Sequence, residues 1–216
     1  MNSPCKPVSM PLSPDLAAVY VARCERRNGR KQYICLRIPE RFTAISESAA
    51  DVLREADVDQ LNLDGLTSLS NVSAESLSRS TARCLSLDGL TELSDAVAES
   101  LKKQRNMLSL DGLTKLSDSC IEILSQQIHT LSLNGLKCLS ISAAGILGKH
   151  QGRLWLCGVK TLSVSAAELL ASHTAIDEPD ETIAELNLQG VRDISVQAAE
   201  ALSRHEGTIA LDLDSF

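Results

Sequence analysis

The chain has 216 residues, of which 44% are hydrophobic and 23% charged, as in a folded protein and unlike a disordered one. Its formal charge of −7 speaks against the chain as a whole being a nucleic-acid binder. Aromatics make up only 2%, so the core must be layered Leu, Ala, Val and Ile, and no run nears the roughly 18 apolar residues of a membrane span.

Residues 1–15 are rich in Pro, Ser and Met and are expected to be a flexible N-terminal segment. They lack a secretory signature: the apolar run Ala17 to Ala22 is short, and Pro7, Pro11, Pro14 and Asp15 stand where a signal core would be. The seven cysteines are odd in number and form no CxxC pair. They read as reduced thiols, so a cytoplasmic location is expected. Residues 16–37 hold two apolar-leaning runs, Tyr20 to Cys24 and Gln32 to Leu36, either side of Arg27-Asn28-Gly29-Arg30. Asn-Gly between such runs predicts a β-hairpin, expected here as a cap over the first sheet edge. Its tip would carry Arg26, Arg27, Arg30 and Lys31, a candidate anion-binding cluster. Residues 1–50 carry eight basic and four acidic side chains, while the remainder carries 13 and 24. A solvated turn is the plainer explanation of the tip, since no aromatic is interleaved there to stack on a base.

From residue 34 onward the chain repeats. The pattern Leu-x-Leu-x-Gly-Leu/Val-x-x-Leu/Ile-Ser begins at Leu61, Leu85, Leu108, Leu131, Leu154 and Leu186, at offsets of 24, 23, 23, 23 and 32 residues. A degenerate copy begins at Leu36, and a partial one is expected at Leu211. Leu-x-Leu alternation predicts a short half-buried strand. Gly permits the turn that follows. Ser70 and its equivalents are helix N-caps, and Ala74 and Leu77 share one face of a short helix. A unit of this size cannot pay alone for its own ordering, so neighbours must stack. An α/β solenoid is expected, with a parallel sheet on one side and short helices on the other. The 32-residue unit holds an acidic insertion near 174–184, including Asp177-Glu178-Pro179-Asp180-Glu181, expected to protrude at one rim.

These units resemble short bacterial-type leucine-rich repeats over residues 34–216, and Ile128-His129-Thr130-Leu131-Ser132-Leu133 looks like that family's LxxLxL half. Where the family carries an inward Asn, this chain has Leu66, Leu90, Leu113, Leu136, Val159 and Val191. The resemblance implies a rigid sheet that binds a protein partner.

Outward strand positions form columns across the sheet. The middle one reads Asn62, Ser86, Ser109, Ser132, Trp155, Asn187 and Asp212. Trp155, the sole Trp, is expected on the open face beside Arg153, and these residue types dominate interface hot spots. Trp155 and Arg153, with Thr130, Ser132, Glu185 and Asn187, form the expected protein-binding site. Asp64, Asp88 and Asp111 stack in the next column and could invite a hard cation, but each precedes a Gly and has a turn role available. His150, His173 and His205 fall ten residues after successive helix-start serines, where each can meet a helix C-terminus. Glu75 and its equivalents read as a solvated stripe. No GxSxG, GxGxxG or HExxH occurs, so no enzyme activity, cofactor or metal is expected. The expected function is a non-enzymatic protein-protein interaction scaffold. The alternatives are polyanion or nucleic-acid contact through the basic cluster, or a metal-dependent role.

Overall fold

Ser13 and Pro14 open a helix where the sequence predicts the first arm of a hairpin. The computed structural model describes residues 10–26, 33–174 and 185–212. Its first elements are strand β1 (Met10–Leu12), helix α1 (Pro14–Arg26), and strands β2 (Cys35–Arg37) and β3 (Phe42–Ile45). Pro14 takes the first helical position, where its missing N–H costs nothing, and Asp15 sits at the positive helix end. The Ser13 hydroxyl accepts from the Leu16 N–H at 3.4 Å. Ala17, Tyr20, Val21 and Cys24 recur with helical spacing and face the core. The hairpin expected over 16–37 is therefore corrected to a helix followed by a strand. Asn28-Gly29, which suggested it, lies outside the described residues. The capping role passes to α1. The loose segment expected over 1–15 is corrected for residues 10–15, because β1 pairs parallel with β3 and Leu12 is fully buried. Residues 1–9 lie outside the described part.

Seven serines then open seven helices. Ser46, Ser70, Ser94, Ser117, Ser140, Ser163 and Ser195 cap α2 (Glu47–Arg54), α3 (Asn71–Leu77), α4 (Asp95–Leu101), α5 (Asp118–Leu124), α6 (Ile141–Leu147), α7 (Val164–Leu170) and α8 (Val196–Leu202). Each hydroxyl accepts from the backbone N–H three residues on, at 3.0–3.4 Å. Helices of seven residues are too short to persist alone, so packing sustains them. α1 packs on α2, and each later helix packs on the one before it.

The strands between them are β4 (Gln60–Asn62), β5 (Cys84–Ser86), β6 (Met107–Ser109), β7 (Leu131–Ser132), β8 (Leu154–Trp155), β9 (Thr161–Leu162), β10 (Leu186–Asn187), β11 (Asp193–Ile194) and β12 (Ile209–Ala210). An eight-stranded parallel sheet runs in the order β2-β4-β5-β6-β7-β8-β10-β12. Its register aligns Leu36, Leu61, Leu85, Leu108, Leu131, Leu154, Leu186 and Ile209 in one column. All but Ile209 are buried, and each buried Leu contributes about 1.5–3 kcal/mol. The columns beginning at Leu63 and Leu66 lie beside it, and Ala and Leu from the helices close the core. A separate two-stranded parallel sheet joins β9 to β11 at the rim. The protein is thus α/β, with an eight-stranded parallel sheet and eight helices among the described residues.

The last strand departs from expectation by two residues. Ile209, not Leu211, pairs with Leu186. The helix sets this register: four residues separate His150 from Leu154, and four separate His205 from Ile209. The Leu-x-Leu at 211–213 is a sequence echo out of phase with the sheet. Asp212 is exposed beyond the strand, and Asp214 lies outside the described residues.

Glycine serves closeness here rather than an unusual turn, because no described glycine has a positive φ. A Cβ added at Gly112 would lie 2.0 Å from the Asp88 carbonyl oxygen, and one at Gly158 would lie 1.9 Å from that of Asn134. Gly145, inside α6, would meet only the Leu169 side chain at 3.5 Å. Urea unfolding is therefore expected to show a loss of about 3 kcal/mol for Gly112→Ala. Gly145→Ala should instead be neutral or stabilising by about 0.5–1 kcal/mol. Equal effects at the two positions would contradict the closeness between units.

Candidate functional site

The open face of the sheet collects the residues that alternate with the buried leucines. Register brings Ser132, Trp155 and Asn187 abreast on β7, β8 and β10. Two residues earlier stand Thr130, Arg153 and Glu185, whose carbonyls accept from the N–H groups of Leu108, Leu131 and Leu154 at 3.0, 2.8 and 2.7 Å. The six residues singled out from the sequence therefore form two adjacent rows. Trp155, Arg153, Thr130, Glu185 and Asn187 are half-buried. The indole Nε1 of Trp155 is enclosed and meets no acceptor among the described residues. Asn187 turns back on its own strand end, its Oδ1 accepting from the Gln189 N–H at 3.1 Å. Ser132 is a correction: it is fully buried, and its hydroxyl donates to Asp111 Oδ1 at 2.6 Å. A small side chain between larger neighbours leaves no surface for a partner.

That Ser–Asp contact belongs to a ladder not anticipated from the sequence. Asp88 Oδ1 accepts from the Ser109 hydroxyl at 2.7 Å and the Asp111 N–H at 2.9 Å. Asp111 Oδ1 accepts from Ser132 and from the Asn134 N–H at 2.9 Å. Asn134 Oδ1 accepts from the Cys157 N–H at 2.8 Å. Asp64 begins the series, taking the Ser86 hydroxyl and the Asp88 N–H. Each carboxylate or amide thus satisfies the backbone of the next unit from the outer face. Its sequence signal was present as Asp-Gly in register, but the turn role within a unit concealed the bond between units. Burial pushes the Asp88 carboxyl above its ordinary range, against the lowering effect of its Ser109 and Asp111 donors. Cys84 is pushed up to about 11, chiefly by burial and then by the Asp88 and Asp64 charges, so it stays a neutral thiol. Among the described residues, no group of three or more His, Cys, Asp or Glu is placed to hold a metal ion.

The three in-register histidines are also brought together. His150, His173 and His205 are buried and stacked, with ring centroids 6.2 and 5.7 Å apart and planes within 28° and 29° of parallel. Their nitrogens face the carbonyls of the preceding unit: His150 Nδ1 meets Ser125 at 3.2 Å, and His205 Nδ1 meets Ala171 at 3.4 Å. Ser125 and Ala171 are the C-caps of α5 and α7, so the rings of His150 and His205 meet a helix end, that of an earlier helix rather than their own. His173 Nε2 lies 2.8 Å from the Gly152 carbonyl, which requires the proton on Nε2. Gln104 and Gln127 hold the same position in earlier units and are buried as well.

Of the remaining predicted cluster only Arg26 lies among the described residues. Arg26 is the last residue of α1, and Arg27, Arg30 and Lys31 lie outside the described residues. The acidic insertion lies outside them too, apart from exposed Thr174. The sequence also gave no hint of a groove of about 500 Å³ between α1 and the edge strand β2, lined by Tyr20, Arg23, Cys24, Tyr33 and Cys35. No protein-family model matches the chain, and no curated protein matches it in sequence. No helix among the described residues is long and apolar enough to cross a membrane.

Burial, aided by its two His neighbours and opposed by the Gly152 carbonyl, lowers the His173 pKa to about 4. An unfolded His titrates near 6.5. Between these values the unfolded chain binds a proton that the folded chain refuses. This contribution is therefore fully present above pH ~6.5 and is lost as pH falls toward 4, at up to about 1.4 kcal/mol per pH unit. Urea unfolding at pH 7 and pH 5 should show a larger acid loss for the wild type than for His173→Gln. Asp88 acts with the opposite sign in both proteins, so the difference isolates the ring. Equal acid losses would contradict the buried neutral His173.

Proposed function

We propose that the chain is a leucine-rich-repeat-like solenoid of the cytoplasm that works as a non-enzymatic protein-binding scaffold through the open face of its sheet. The observation that carries this reading is Trp155. The chain's one indole stands half-buried on β8, flanked by Ser132 and Asn187, with an enclosed N–H that meets no acceptor among the described residues. A large aromatic on a sheet face, with Arg153 beside it, combines apolar area with a cationic side chain. The main chain beneath is pinned by ladder hydrogen bonds, so little ordering accompanies binding. Polar groups elsewhere on the face already have partners within the chain: Asp64, Asp88 and Asp111 serve the next unit's backbone. This concentrates recognition near β7, β8 and β10. Thr130, Glu185 and Asn187 complete the contact surface.

The test is a nuclease-treated pull-down from native lysate, comparing wild type with a Trp155→Ala/Arg153→Glu variant shown by circular dichroism to be folded. A protein captured by the wild type should be lost from the variant, with affinity weakened by about 2 kcal/mol or more. Equal capture by both would remove the sheet face as the binding site.

A further inference from the structure

Two surface columns change character at the same unit. The first follows the strands of the large sheet, where Thr67, Thr91 and Thr114 give way to Lys137, Lys160 and Arg192. Backbone contacts fix the alignment of the last three: the Lys160 N–H donates to the Lys137 carbonyl at 3.3 Å, and the Arg192 N–H to that of Lys160 at 2.9 Å. All three side chains are exposed, and none forms an ion pair among the described residues. The second column is the first residue of each helix. Glu47, Asn71, Asp95 and Asp118 open α2 to α5, as the positive helix end favours. Ile141, Val164 and Val196 open α6 to α8 instead, exposed by 56%, 37% and 71%. Helix stability does not account for β-branched apolar residues held in water at these positions. Nor does the core, which they do not enter.

We infer that this rim is a second docking surface, one that takes an acidic amphipathic helix of a protein partner. Charge decides the partner's sign: among the described residues these three adjacent cations form no ion pair, in a stretch of chain that is otherwise acidic, with Asp193 their one near acidic neighbour in sequence. The parallel apolar row supplies the burial that an ion pair at the surface lacks. Pitch decides the partner's form. Neighbouring units repeat every ~4.8 Å along the sheet, close to the ~4.5–6 Å rise between helix residues three or four apart. Same-face residues of an extended strand recur at ~6.7 Å and would drift out of step. The small β9–β11 sheet ties this rim together beside Lys160 and Arg192. The surface is distinct from the Trp155 face, so the two readings stand or fall separately.

Selection from a display library of random peptides, long enough for ~4 helical turns, tests this with the intact chain as bait. The expected winners carry Glu or Asp at spacings of three and four beside Leu or Ile. Their affinity should fall about tenfold or more for Lys137→Glu/Lys160→Glu/Arg192→Glu, and likewise for Ile141→Ser/Val164→Ser/Val196→Ser. Trp155→Ala should leave their binding unchanged. Both rim variants are checked for wild-type melting temperature, since they alter only exposed side chains. Winners without acidic character, equal binding by the rim variants, or no enrichment would each overturn the inference. Co-sedimentation with vesicles containing ~30% phosphatidylserine, lost on charge reversal and unaccompanied by any selected peptide, would overturn it in favour of a membrane surface.

Discussion

At Gly112 one unit passes so near the last that a single methyl group would lie 2.0 Å from the Asp88 carbonyl oxygen. The rest of the structure depends on that closeness. It brings the Asp88 carboxylate within reach of the Asp111 N–H, and the Asn134 amide within reach of the Cys157 N–H. It aligns the buried leucine column from Leu36 to Leu186. It lays His173 between His150 and His205. None of these interactions exists within a unit. Each unit leaves backbone donors, apolar faces and a buried polar side chain that only its neighbour can complete, so cohesion is a property of adjacent pairs.

The two ends of the stack follow from the same constraint. A unit with no neighbour exposes what the others share. At the N-terminal end α1 packs against α2, and the Cys24 thiol donates to the Cys35 carbonyl of the edge strand. At the other end α8 is the last helix among the described residues. Ala199 is exposed there, although the matching Ala167 of α7 is fully buried. Among the described residues nothing lies against that face.

What was legible in the sequence was the part that repeats. Ser70 and its counterparts cap helices, and Leu61 and its counterparts enter the core, because a local pattern and its physical consequence share one period. What was illegible lay where two local signals compete or where the partner is distant in sequence. Asn28-Gly29 outweighed the Ser13-Pro14-Asp15 helix start, whose mild signal needed the spacing of Ala17, Tyr20, Val21 and Cys24 to support it. Leu211 outweighed Ile209, although the fixed step from His205 sets the strand. The Asp64–Asp88–Asp111 column was visible as a column, but its bonds run between residues 23 or 24 apart and no local pattern states them. In the candidate site the rows were legible from alternation alone. The burial of Ser132 was not, because it depends on Asp111 of the preceding unit.

Two surfaces are proposed here for recognition: the sheet around Trp155 and the rim of Lys137, Lys160 and Arg192. Both require that the units beneath act as one body. Amide hydrogen exchange tests this most directly, read residue by residue under native conditions. The N–H groups of Asp111, Asn134 and Cys157 sit on turns, yet they should exchange as slowly as those of Leu108 and Leu131 in the sheet, opening only with the stack. Exchange at the rate of an exposed loop would contradict the claim that side-chain bonds between units hold the structure together.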